Sequence, residues 1–168
     1  MRGLLCGIAL AAAALLPSIA PAGAAEPLRL TVEQALDLLA GLTALDGHEE
    51  LVGEGKQQQK IVVPYTLGGP LRQAIFHDIT ATKPVAADFQ NARNAVVIEL
   101  SKGAGKLDPG SPESAKLALQ TQAMMAQPVD LKLDRIKLAD LKLDSNPIPG
   151  TVLAQLAPIL DEPDGKTP

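Results

Sequence analysis

The sequence predicts an α+β fold, with three to five helices packed on a small antiparallel sheet formed by a hairpin at about 49–65 and a strand at about 129–138. Three observations predict it. Apolar residues recur at three- and four-residue steps in segments bounded by Gly, Pro and Ser, which is the period of helices with one buried face. Between those segments lie two short runs rich in Val, Ile and Leu, one of them folded about a Gly-Glu-Gly turn. The chain holds one Tyr, two Phe and no Trp, so any core is built from aliphatic side chains.

The first helix is read from "LTVEQALDLLAGLTALDG". Thr31 is its N-cap and Gln34, three residues on, completes a capping box. Val32, Ala35, Leu36, Leu39, Leu42 and Leu45 form its apolar stripe, and Gly47 is expected as a left-handed C-terminal cap. Gly41 weakens its interior by about 1 kcal/mol. Glu50–Val52 and Gln58–Val63 then flank Gly53-Glu54-Gly55 as a hairpin, with Pro64 at a strand end.

From Pro70, which suits a first helical position, helical spacing continues through Leu71, Ile75, Ile79, Phe89 and Val96 to about Lys102. Pro84 interrupts it by removing one backbone hydrogen bond. Two collinear or angled helices, broken near Thr80–Pro84, are expected. Ser111 caps a third helical segment that Pro112 opens and that runs to about Ala126. A last helix spans about Pro149–Leu160, with Val152, Leu153, Leu156, Ile159 and Leu160 inward and Pro158 bending its end.

"DLKLDRIKLADLKLD", Asp130–Asp144, divides into three pentads. As a helix its aliphatics would scatter around the axis, at ~100° per residue. As a strand, Val129, Leu131 and Leu133 share one face, Ile136 and Leu138 take the other, and Leu141 and Leu143 flip back. A bulge near Asp134-Arg135 and a bend near Ala139-Asp140 account for both flips. The rhythm is similar to that of pentapeptide-repeat proteins, but a solenoid needs several stacked neighbours to bury a core. Asp130, Asp134, Asp140 and Asp144 lack the short alternating spacing and turn glycine of a calcium loop, and Lys132, Lys137 and Lys142 neutralise them. The bulged strand with a solvated charged face is the reading adopted.

Residues 1–25 read as a cleavable signal peptide. Arg2 is the charged start, Leu4–Leu16 the apolar run, and cleavage falls after Ala24 or Ala25. The run is short of the ~20 residues of a spanning helix, so no stable membrane insertion is expected after cleavage. The address is periplasmic or secreted, by bacterial-type export. The only cysteine, Cys6, lies within this segment and before the cleavage point, which argues against lipid attachment and leaves no disulfide or thiol nucleophile beyond it. Residues 26–162 form the α+β domain and 163–168 a flexible tail.

Without the leader, 14 basic residues face 19 acidic ones, and so acidic a chain with so few stacking side chains is not a nucleic-acid binder. "KGAGK" lacks the following Ser or Thr and the earlier glycine of a phosphate loop, and "GEGK" at 53–56 is a hairpin turn. His48 and His77 sit in different elements with no HExxH, GxSxG or close His pair, so neither zinc nor a serine nucleophile is assigned to them. Glu99, Glu113, Asp161 and Glu162 offer carboxylates for glycoside hydrolysis, but sugar-stacking aromatics are missing. No catalytic residue, metal ligand or cofactor is therefore assigned, and a metal-dependent or carboxylate hydrolase stands last among the readings.

In their order, "LTVEQALDLLAGLTALDG", "VPYTLGGPLRQAI", "VDLKLDRIKLADL" and "IPGTVLAQLAPILDE" resemble small phage and prophage proteins of unknown function. The resemblance spans most of Leu30–Glu162 and implies an accessory or morphogenesis role, without an activity or a site residue. The reading placed first is an exported, non-enzymatic protein that binds a protein partner or itself. Met124 and Met125, adaptable apolar side chains on the third helix, are its contact residues, together with the open edge of a small sheet.

Overall fold

The computed structural model describes residues 26–52 and 59–161. Along them run β1 (Leu28–Thr31), α1 (Val32–Ala44), β2 (His48–Val52), β3 (Gln59–Val63), α2 (Gly69–Leu100), α3 (Pro112–Met125), β4 (Pro128–Leu131), β5 (Ile136–Lys137), α4 (Gly150–Leu156) and β6 (Leu160–Asp161). The fold is α+β. The expected signal peptide, the turn at 53–58, Glu162 and the tail at 163–168 lie outside the described residues.

The strands form three two-stranded ladders in place of one sheet: β1 with β4 and β2 with β3, both antiparallel, and β5 with β6, parallel. The hairpin is present, in register from His48 opposite Val63 to Val52 opposite Gln59. It does not share a sheet with β4, whose partner is β1, the strand Leu28–Thr31 that runs directly into α1. The strand expected at about 129–138 is two pieces. β4 stops at Leu131, β5 is confined to Ile136-Lys137, and a 3-10 turn covers Leu138–Leu141. The two breaks coincide with the two flips in aliphatic parity. At each one the chain leaves one environment for another, and Leu131, Leu133, Ile136 and Leu141 stay buried throughout.

Thr31 ends β1 and caps α1. Its hydroxyl accepts from the Gln34 N–H at 3.2 Å, while the Gln34 side chain accepts from the Thr31 N–H at 2.9 Å. The buried stripe of α1 is Val32, Ala35, Leu38, Gly41, Leu42 and Leu45. Leu38 is fully buried, whereas Leu36 and Leu39, expected in the stripe, are half-buried at its margin. Gly41 is where α4 approaches the helix, because a Cβ there would lie 2.8 Å from Gln155 Cβ. Gly47 is not a left-handed cap. The helix ends in tight turns (Leu45 N–H to Leu42 O, Asp46 N–H to Thr43 O), and Gly47 is required for space, since a Cβ would lie 2.5 Å from Val63 O.

α2 runs unbroken through Pro84, where two helices were expected. Pro84 and Thr80, the residue whose carbonyl the proline leaves unbonded, are both exposed. Water can take that carbonyl, and the core side of the helix keeps its ladder. The core joins α1, the first four turns of α2, β1, β4, β5 and α4, with Leu38, Leu42, Ile136, Leu141, Leu156 and Ile159 fully enclosed. Each such side chain contributes about 1.5–3 kcal/mol.

Candidate functional site

Four positions of α2 face this core at steps of four, three and four: Leu71, Ile75, Asp78 and Thr82. The first two are the apolar residues the spacing requires. The third is a carboxylate with no solvent exposure, in the middle of the buried face. A charge so placed needs partners. One comes from the break between β4 and β5. There the backbone leaves its ladder, and the N–H of Asp134 donates to Asp78 Oδ1 at 2.8 Å. The carboxylate thus satisfies a backbone group that no strand reaches. Asp78 Oδ2 is buried and has no hydrogen-bond partner.

His77, next to Asp78 on α2, completes the cluster. Its Nδ1 lies 3.1 Å from Asp134 Oδ2 and 3.6 Å from Asp78 Oδ1. The imidazole and the Asp134 side chain are about half exposed, so two groups at the rim face one at the floor. Burial pushes the Asp78 carboxyl up to about 6, and the Asp134 charge adds to the rise. The Asp134 N–H and His77 oppose it. Above that pH the floor of the cluster carries a charge with one oxygen unsatisfied.

The residues nominated from sequence stand elsewhere. Met124 and Met125 are half-buried at the end of α3. Met125 lines an open groove of about 580 Å³ with Glu33 of α1, Arg93 of α2, and Leu117 and Thr121 of α3. Among the described carboxylates proposed for hydrolysis, Glu99 ends α2, Glu113 begins α3 and Asp161 lies in β6, so three different elements carry them. "KGAGK" is a helix terminus. Lys102 takes a left-handed φ of 52°, its N–H reaches Glu99 O, and the Gly103 N–H reaches Ile98 O, the paired bonds of a Schellman cap. His48 stacks on Tyr65 at 5.1 Å and meets Glu50 Oε1 through Nε2 at 2.7 Å.

Asp78 and Asp134 were missed as a pair because 56 positions separate them. One signal was legible: the steps 71, 75, 78 and 82 put an acid on the apolar stripe. No family model, curated protein or solved structure matches this chain, so the arrangement of its own residues is what bears on its role.

Proposed function

We propose that the protein is an exported, non-enzymatic binding protein, acting on a protein partner or on a second copy of itself through α3 and the C-terminal half of α2. One observation carries this reading: α3, 14 residues long, contains no buried residue, and neither does α2 beyond Thr82. Helices draw most of their stability from packing an apolar face, and one of this length is marginal alone. These two cover each other only in part. Leu119 and Ile98 are left 68% and 55% exposed beside the half-buried Leu117, Met124 and Met125. A partner laid along this pair would cover aliphatic and thioether surface at about 25 cal/mol per Å².

The β2–β3 hairpin offers a second surface. None of its described side chains is buried, and Val52, Ile61 and Val62 stand in solvent on a ladder whose outer edges are unpaired among the described residues. A two-stranded hairpin of this kind is marginal without further packing. The acidic balance of the chain directs the choice of partner away from nucleic acid.

The test is crosslinking of a tagged full chain in cells, with intact mass of the recovered protein. The expected result is a crosslinked partner or dimer whose recovery falls at least tenfold in a variant combining Leu119→Lys, Met124→Lys and Met125→Lys, with helical circular dichroism unchanged. Undiminished recovery from a folded variant removes α3 as the surface. A chain recovered at full length, not cut after Ala24 or Ala25, removes export.

A further inference from the structure

We propose that His77, Asp78 and Asp134 form a binding site for one divalent transition-metal ion of the zinc class. This does not rest on the partner-binding reading above. The three residues each bring a ligand atom, and these atoms all lie within 4.8 Å of one another. Bonds of roughly 2.0–2.2 Å to a tetrahedral ion set neighbouring ligand atoms about 3.3–3.6 Å apart. The separations from His77 Nδ1 are 3.1 Å to Asp134 Oδ2 and 3.6 Å to Asp78 Oδ1, so these two need shifts of only a few tenths of an ångström, and the two carboxylates stand within 4.8 Å of each other.

A structural role accounts for part of this geometry. Asp78 Oδ1 holds the Asp134 N–H, and that bond fixes the break between β4 and β5. It does not account for Asp78 Oδ2, which is buried and unpartnered on a side chain with no solvent exposure. An orphaned carboxylate oxygen costs on the order of 1–3 kcal/mol or more. The same carboxylate faces the imidazole of His77, its neighbour on α2, and the carboxylate of Asp134, which comes from the break between β4 and β5. A cation resolves all three features together. It takes Asp78 through one or both oxygens, bridges His77 Nδ1 and Asp134 Oδ2 at the rim, and compensates the charge on the floor of the cluster.

The ligand set selects the ion. One imidazole nitrogen and two carboxylates suit zinc and its neighbours, whereas calcium takes six to eight oxygen ligands at longer bonds. His77 and Asp134 are half exposed, so a fourth position is open to water. The protein part is preorganised from two directions. α2 supplies adjacent residues His77 and Asp78, and the backbone bond from Asp134 to Asp78 holds the third ligand in place.

The experiment is titration of the untagged full chain with Zn(II) alone by calorimetry, and with Co(II) by visible absorption, at neutral pH. One ion per chain is expected, with the intense d–d bands of four-coordinate Co(II). His77→Ala changes an exposed side chain, and Asp134→Asn keeps the backbone N–H that Asp78 accepts, so both variants are expected to fold. Each should weaken binding by more than the roughly 10–100-fold that losing a partner of a ligand costs. His48→Ala, at the other histidine, should bind like the wild type. The proposal is overturned if the wild-type chain takes up no stoichiometric ion. It is equally overturned if His77→Ala and Asp134→Asn bind as tightly as wild type, or if His48→Ala abolishes binding.

Discussion

Asn146 shows how a single polar side chain can hold separate segments together. It is buried, and its Oδ1 accepts from the Thr66 N–H at 2.8 Å while its Nδ2 donates to Leu141 O at 2.8 Å. It therefore joins the segment after β3 to the end of the 3-10 turn, beside Tyr65, whose hydroxyl reaches Pro147 O. Asn146→Ala is expected to cost about 2–3 kcal/mol, because two backbone groups lose their partner inside the protein. The midpoint of urea unfolding measures this, and a loss under 1 kcal/mol would show that water replaces the amide. Asp78 belongs to the same class of residue. Asn146 carries no sequence sign of being buried and bonded, since an Asn before a proline occurs most often at the surface, and Asp78 carries only its helical spacing from Leu71 and Ile75.

At the scale of elements, the contact of α1 with α4 decides how the core closes. Gly41 lets the two helices approach until Gln155 Cβ stands where a methyl group would be. By helix propensity alone Gly41→Ala should stabilise the protein by up to about 1 kcal/mol. A contact at 2.8 Å with a Cβ, which cannot swing aside, reverses the sign. A net loss of about 1–2 kcal/mol is expected, in line with overpacking of a filled interior. Thermal unfolding checks it: a raised midpoint would mean that α4 yields without cost. Pro84 teaches the opposite lesson. The rule that proline breaks helices gave way because the lost bond faces solvent, where water can donate to the free carbonyl in place of the missing N–H.

Across the molecule stability is uneven. α1, α4, the strands β1 and β4, and the first turns of α2 share one core, and α3 with the remainder of α2 stands outside it with no buried residue. Native-state hydrogen exchange should resolve the two regions. Amides of α1 are expected to exchange only by global unfolding, and those of α3 by local opening at a free energy several kcal/mol lower. Equal protection in the two helices would contradict an independent α2–α3 pair, and protection of α3 that rises with protein concentration would point to self-association.

Periodicity and capping chemistry in the sequence determined α1, α3, the β2–β3 hairpin, the two points where the 129–143 segment changes face, and α4 as far as Leu156, short of the expected Leu160, which lies in β6, because those features depend on residues within a few positions of one another. Thr31 with Gln34, Ser111 with Pro112, and the alternating aliphatics on either side of Asp134 are all local signals. Which strands pair, why Gly41 and Gly47 must lack a side chain, and that Pro84 is tolerated were decided only by the tertiary structure. So was the meeting of His77 and Asp78 with Asp134. Apart from Pro84, which depends on which face of α2 the core leaves to solvent, each depends on two segments arriving at one place, and no spacing within either segment encodes that distance. The pentads illustrate both halves: their parity located the break at Asp134, and packing made that break the partner of a buried carboxylate.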